Sequence, residues 1–115
     1  MNAINQETNR QFSYLAPRSF KFGGKTFKSA PGMFDDKTNT VFFKHYGRKQ
    51  SGAMMKDQLS VIVKYDSGSD TYTITVKHFD GKAFESTTVA SWEGMYSDSF
   101  ADLQTFINHS QKVEA

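Results

Sequence analysis

The chain has 115 residues, a hydrophobic content of 37% and a formal net charge of +2, and it contains no cysteine. That length suits one small domain, and the absence of cysteine excludes disulfides and thiolate metal sites. No apolar run is long enough to span a membrane, and the polar N-terminus does not have the pattern of a signal peptide, so we expect a cytoplasmic protein.

The first third of the chain predicts an arm followed by a short hairpin. Residues 1–16 are polar and are expected to form an N-terminal arm that is extended or partly disordered, with a single α+β domain over residues 17–115. The glycine pair at positions 23–24 supplies both positive-φ positions of a two-residue turn, which would place Phe20 opposite Phe27. The other face of this hairpin would then present Lys21, Thr26 and Lys28.

The middle of the chain predicts a central strand and the clearest hairpin. Residues 40–46 are rich in β-branched and aromatic side chains, and the basic residues 47–52 are expected to form a mobile loop. Apolar and polar residues then alternate on both sides of a turn cluster at 66–70. Opposite residues in a sheet share a face, so this alternation determines the register. The predicted pairs are Tyr65–Tyr72, Val63–Ile74, Val61–Val76 and Leu59–His78.

The C-terminal third predicts one more strand and a helix. A bulged turn after the Asp-Gly pair at 80–81 would bury Phe84 and Trp92, whereas a two-residue loop would place the carboxylate of Glu85 in the core. The bulged turn is favoured, because burying an unpaired carboxylate is costly. For the helix, Ser99 is the candidate N-cap. Its apolar stripe would consist of Phe100, Leu103, Phe106 and Ile107.

Together these elements predict an α+β fold, in which an antiparallel meander sheet of about five or six strands carries one C-terminal α-helix packed on one face. The strand that contains residues 72–76, followed by a loop and a terminal helix, resembles the layout of small coat proteins from single-stranded RNA phages. This resemblance implies a self-assembling viral structural protein. The layout is equally compatible with small phage-encoded inhibitors that bind a host protein complex.

No pattern of catalytic or metal-binding residues meets the structural requirements of its chemistry. The segment 23–26 resembles the end of a phosphate-binding loop, but Ser19 occupies the position of the first glycine and no helix is expected to follow. The turn at 66–70 resembles a calcium loop but lacks the distal glutamate. The three histidines are scattered, at His45, His78 and His109. We therefore expect a protein that is not an enzyme and has no cofactor and no metal.

Charge is distributed unevenly along the chain, which bears on its partners. Residues 1–56 hold ten Lys or Arg against three Asp or Glu, a net charge of +7, and residues 57–115 hold four against nine, a net charge of −5. In the basic half, cations interleave with aromatic residues, as in proteins that bind single-stranded nucleic acid. The same alternation would also arise if the aromatics formed the core and the lysines its solvated side. We predict that nucleic acid, RNA or DNA, or a nucleoprotein contacts Lys21, Lys25, Lys28, Lys44, Tyr46, Arg48 and Lys49.

Two other functions are compatible with the same division of charge. In the first, the acidic half contacts a basic protein, and the chain acts as an inhibitor of a host complex. In the second, the basic half of one copy meets the acidic half of another in a homo-oligomer. The acidic residues concerned are Asp66, Asp70, Asp80, Glu85, Glu93, Asp98 and Asp102.

Overall fold

A computed structural model describes residues 1–49, 51 and 54–113, and over these residues it has seven strands, two α-helices and one 3-10 helix. The elements in chain order are α1 (Ala3–Leu15), β1 (Ser19–Phe22), β2 (Lys25–Ser29), β3 (Met33–Asp35), β4 (Thr40–Arg48), β5 (Met54–Asp66), β6 (Thr71–Asp80), β7 (Glu85–Met95), the 3-10 helix (Ser97–Asp102) and α2 (Leu103–Val113). The strands form one antiparallel sheet in the order β1-β2-β4-β5-β6-β7, and β3 pairs with the beginning of β4.

Both predicted hairpins have the register that the sequence indicates. In the central hairpin, Tyr65 pairs with Tyr72 and Val63 with Ile74, and the two further predicted pairs are also present. In the first hairpin, Phe20 pairs with Phe27 across the turn formed by the glycines at 23 and 24, both of which have positive φ. The α+β class and the antiparallel sheet are therefore confirmed, with seven strands described where five or six were expected.

The sheet is curled, so that its two ends approach each other. The ring of Phe22 in β1 lies 5.0 Å from the ring of His78 in β6, although β2, β4 and β5 lie between these strands in the sheet. We call the side of the sheet that points into this curl the inner face. Its fully buried residues form the core together with side chains from the helices, and from the strands they are Phe20, Phe27, Leu59, Val61, Val63, Ile74 and Val76.

Residues 3–15 form an α-helix, so the prediction of an extended N-terminal arm is wrong. The side-chain oxygen of Asn2 caps α1 by accepting a hydrogen bond from the N–H of Asn5 at 2.7 Å. Phe12 is 5% exposed, and its ring stacks on that of Phe43 with 3.8 Å between centroids. The sequence pattern concealed this helix because two of its three buried residues, Asn5 and Thr8, are polar.

The C-terminal helix begins differently from the prediction. Ser99 is not an N-cap, because it lies inside the 3-10 helix, and α2 begins at Leu103. The apolar stripe is nevertheless largely buried: Phe100, Leu103 and Ile107 are fully inaccessible. Over the described residues there are two α-helices rather than one, and both contribute side chains to the core.

The turn between β6 and β7 also differs from the prediction. Asp80 pairs with Glu85 and the turn spans residues 81–84, so the register shifts lie within the strands rather than at the turn. Trp92 pairs with Ile74 and packs against Phe106, as the predicted inward position requires. Phe84 is instead 77% exposed, so the prediction that it is buried is wrong.

Candidate nucleic-acid interface

The side of the sheet opposite the core, which we call the outer face, carries the alternate residues of each strand. In β4 the side chains of Val41, Phe43 and His45 belong to the inner face, so Lys44 and Tyr46 belong to the outer face. Directly opposite residues in neighbouring strands point to the same side. The register therefore identifies rows of outward residues that cross the sheet.

Three adjacent rows bring together most of the cations that the sequence singled out. The first row consists of Lys21, Thr26 and Arg48. The second consists of Ser19, Lys28, Tyr46, Gln58, Phe79 and Ser86. The third consists of Lys44, Ser60, Lys77 and Thr88. We call these three rows the basic face, and they contain five cations and no Asp or Glu.

Lys77 was missed by the sequence analysis, although it lies in the same row as Lys44. Along the sequence the chain has a basic half and an acidic half, and Lys77 belongs to the acidic half. Residues of the two halves lie side by side in the folded protein, because β5 and β6 are next to β4 in the sheet. The register of the central hairpin was predictable, so the signal that could have identified Lys77 was its pairing with Ser60.

Two aromatic rings lie in the middle row of the basic face. Tyr46 and Phe79 are both half-buried, and Gln58 lies between them on β5. Since neighbouring strands are about 4.8 Å apart, the backbones of Tyr46 and Phe79 are about 10 Å apart. The row thus places one amide side chain, which can donate and accept hydrogen bonds, between two aromatic side chains.

The cations of the basic face have no carboxylate partners in the part of the chain that the structure describes. The ion pairs found there are Met1–Asp36, Arg10–Glu7 and Lys25–Asp57, and none of them involves the basic face. Among the same residues, the Nε atom of Arg48 is buried and lacks a hydrogen-bond partner. The basic face is therefore a surface of uncompensated positive charge.

Lys25 does not belong to the basic face, although the sequence grouped it with the other cations. It pairs with Phe22, which points into the curl, and its ammonium group forms an ion pair with the carboxylate of Asp57. The hydrogen bond from Lys25, together with one from the N–H of Gly81 at 3.0 Å, lowers the pKa of Asp57. The structure thus engages Lys25 in an ion pair with a buried carboxylate.

The last two predicted residues lie at the end of β4. Arg48 is a strand residue and not part of a mobile loop, because it pairs with Thr26. Lys49 follows the strand and is exposed. The remainder of the predicted loop includes residues 50 and 52, which lie outside the described residues.

A cavity of about 530 Å³ lies between α1 and the chain from β2 to β4, and Lys44 of the basic face is among its lining residues. Its lining includes Phe12, Phe43 and the fully buried His45. Burial lowers the pKa of His45, and its ring packs edge-on against Phe20 at 4.9 Å, which fits a neutral core residue. No cluster of three or more metal-ligating side chains occurs among the residues described.

The helices seen in residues 1–49, 51 and 54–113 are all too short or too polar to cross a membrane. Comparison of the chain with protein-family models, with curated proteins and with solved structures finds no match. The resemblance of the layout to phage coat proteins therefore receives no support from these comparisons, and any function has to be argued from the geometry of the chain itself.

Proposed function

We propose that this protein binds single-stranded nucleic acid on the basic face and that it performs no catalysis there. The observation that carries the proposal is the arrangement of five cations around Tyr46 and Phe79 on one side of a sheet. Single-strand binders use cations for the phosphates and aromatic rings for stacking of the bases, and both kinds of group are present within three adjacent rows.

The packing of the helices supports the proposal, because their buried side chains join the core and not the basic face. Phe12 from α1 and both Leu103 and Ile107 from α2 join the core cluster with the inward residues of β5 and β6. We infer that both helices pack on the inner face, so that the outer face is the side of the sheet that a strand of nucleic acid can reach.

The inhibitor alternative has weaker support from the positions of the acidic residues. Asp57 is buried, whereas Asp66 and Asp80 accept hydrogen bonds from backbone N–H groups in their own turns, at 2.9 Å each. These carboxylates have local structural roles. Likewise, no observation favours assembly of several copies, so we place nucleic-acid binding first.

The proposal can be tested by titrating a labelled oligouridylate into the protein at several salt concentrations. The variant with Lys44→Gln and Lys77→Gln removes two charges from one row of the basic face. Its slope of log affinity against log salt should be shallower than that of wild type by about 1.4, because each lost phosphate contact contributes roughly 0.7 for a single strand.

Lys37→Gln is the matched control, since Lys37 is exposed in the turn between β3 and β4 and lies away from the basic face. It should leave the salt dependence essentially unchanged. If wild type does not bind the oligonucleotide even at low salt, the proposal is wrong. If the control, which removes one charge, loses about half as much affinity as the double variant, which removes two, the binding reflects net charge and not the basic face.

A further inference from the structure

Phe84 combines two properties that folding alone does not account for. Its side chain is 77% exposed, so it contributes little to the core. Its φ is +56°, in the left-handed region that bulky L-residues avoid because the Cβ atom approaches the backbone carbonyl. A glycine would satisfy the same backbone without this strain.

The turn that carries Phe84 is anchored at its first residues and closed by the pairing of Asp80 with Glu85, so the strain does not reflect a loose segment. The carboxylate of Asp80 accepts a hydrogen bond from the N–H of Lys82 at 2.9 Å. Between these two residues, the N–H of Gly81 donates to the carboxylate of Asp57, and a Cβ added at Gly81 would come within 2.3 Å of Lys56. Close packing therefore fixes where the next residues of the turn emerge.

The ring of Phe84 lies beside the basic face. It contacts the ring of Phe79 edge-on, with 5.9 Å between centroids and 86° between ring planes. Phe79 in turn lies in the middle row of the basic face with Gln58 and Tyr46. Phe84 thus adds a third aromatic ring next to this row, in the turn that follows β6. Most of its surface is exposed to solvent.

We propose that Phe84 stacks on an unpaired nucleobase at the edge of the basic face. This inference rests on the proposed function and specifies a base contact in addition to the phosphate contacts of the lysines. Every base has a π-face, so a contact of this kind adds affinity for any base and does not select a sequence. Because a ring carries no charge, its contribution should also be independent of salt.

The test uses Phe84→Gly, which removes the ring and at the same time relieves the strained backbone. We expect the thermal midpoint to stay the same or to rise, while affinity for a labelled oligothymidylate falls about tenfold, within the range found for loss of a single base stack. The salt slope should stay at the wild-type value. Binding of an abasic oligodeoxynucleotide of the same length, which has phosphates but no bases, should not change.

Phe84→Leu and Phe84→Tyr separate stacking from general apolar contact. The Phe84→Tyr variant should keep the wild-type affinity for the oligothymidylate, and the Phe84→Leu variant should lose most of it. Phe34→Leu is the control: it removes an exposed ring on β3 and should not change the affinity. If Phe84→Gly binds the oligothymidylate as wild type does, the stacking role is wrong and the proposed function still stands. If wild type binds neither oligonucleotide, both proposals fail together.

Discussion

Lys25 and Asp57 form an ion pair between β2 and the beginning of β5 that distinguishes this lysine from the cations of the basic face. The carboxylate side chain is only 5% exposed, whereas that of the lysine is 42% exposed. Removing Lys25 should mainly lower the stability of the fold, because the buried carboxylate of Asp57 would lose its positively charged partner.

This difference predicts opposite effects for two lysines on the same strand. Lys25→Met should lower the free energy of unfolding by about 1–3 kcal/mol, since the carboxylate of Asp57 keeps only the N–H of Gly81, and it should leave affinity for an oligouridylate nearly unchanged. Lys28→Met, on the basic face, should lower affinity and leave stability within about 0.5 kcal/mol. Urea melts and titrations on both variants check this. Equal losses of affinity would contradict the assignment of Lys25 to a structural ion pair outside the basic face.

The pH dependence of stability follows from the lowered pKa of Asp57. A carboxyl group whose pKa is lower in the folded state contributes stability above its unfolded pKa of about 3.9, and this contribution is lost as the pH falls through the folded pKa. The stability difference between wild type and Asp57→Asn should therefore be largest near neutral pH and should shrink below about pH 4. Urea melts from pH 7 to pH 2.5 measure this difference, and a constant gap would be evidence against the ion pair.

We predict that the packing of helix α1 on the core contributes to the stability of the protein. Phe12→Ala removes a ring that stacks on Phe43 and contacts Phe100, so we expect a loss of about 3–5 kcal/mol. Tyr14→Ala, on the exposed side of the same helix, is the control and should change stability by less than about 0.5 kcal/mol. Urea melts of the two variants decide the point: similar stabilities would mean that the helix does not pack on the core.

Helix α2 should depend in the same way on Leu103. Leu103→Ala truncates a fully buried side chain and is expected to cost about 2–5 kcal/mol, as for other buried leucines. Thr105→Ala, at an exposed position of the helix, serves as the comparison. If urea melts show a loss below about 0.5 kcal/mol for Leu103→Ala, α2 does not pack on the sheet.

A second contact of α2 concerns the edge of the sheet and is independent of apolar packing. The side-chain amide of Gln104 accepts a hydrogen bond from the N–H of Lys21 at 2.7 Å and donates one to its carbonyl at 2.9 Å. The glutamine thus occupies the free edge of β1 as a neighbouring strand would, and it blunts an edge that could otherwise pair with another chain.

Much of the sheet could be predicted from the sequence, because alternation fixes which residues face each other. The pairs Tyr65–Tyr72 and Phe20–Phe27 followed from parity and from turn chemistry alone. The start of α2 was harder to predict, because local capping signals near Ser99 compete with a 3-10 turn that buries Phe100.

The candidate site was predicted less completely than the sheet. Lys21, Lys28, Lys44, Tyr46 and Arg48 do share one face, as alternation implies. Lys25 was misassigned because its partner Asp57 is distant in sequence, and Lys77 was missed because it lies in the acidic half. The positions of both lysines depend on contacts between residues that are far apart in the sequence, and residue composition does not predict such contacts.

The measurement that tests the central claim most directly is an amide NMR titration of the isotope-labelled protein with an unlabelled oligouridylate at low salt. We predict chemical-shift changes concentrated in β2, β4, β5 and β6 around Lys28, Tyr46, Gln58 and Phe79, with little change in α1 and in the turn at 66–70. Changes centred on that acidic turn, or no saturable change at all, would contradict the assignment of the basic face as the binding surface.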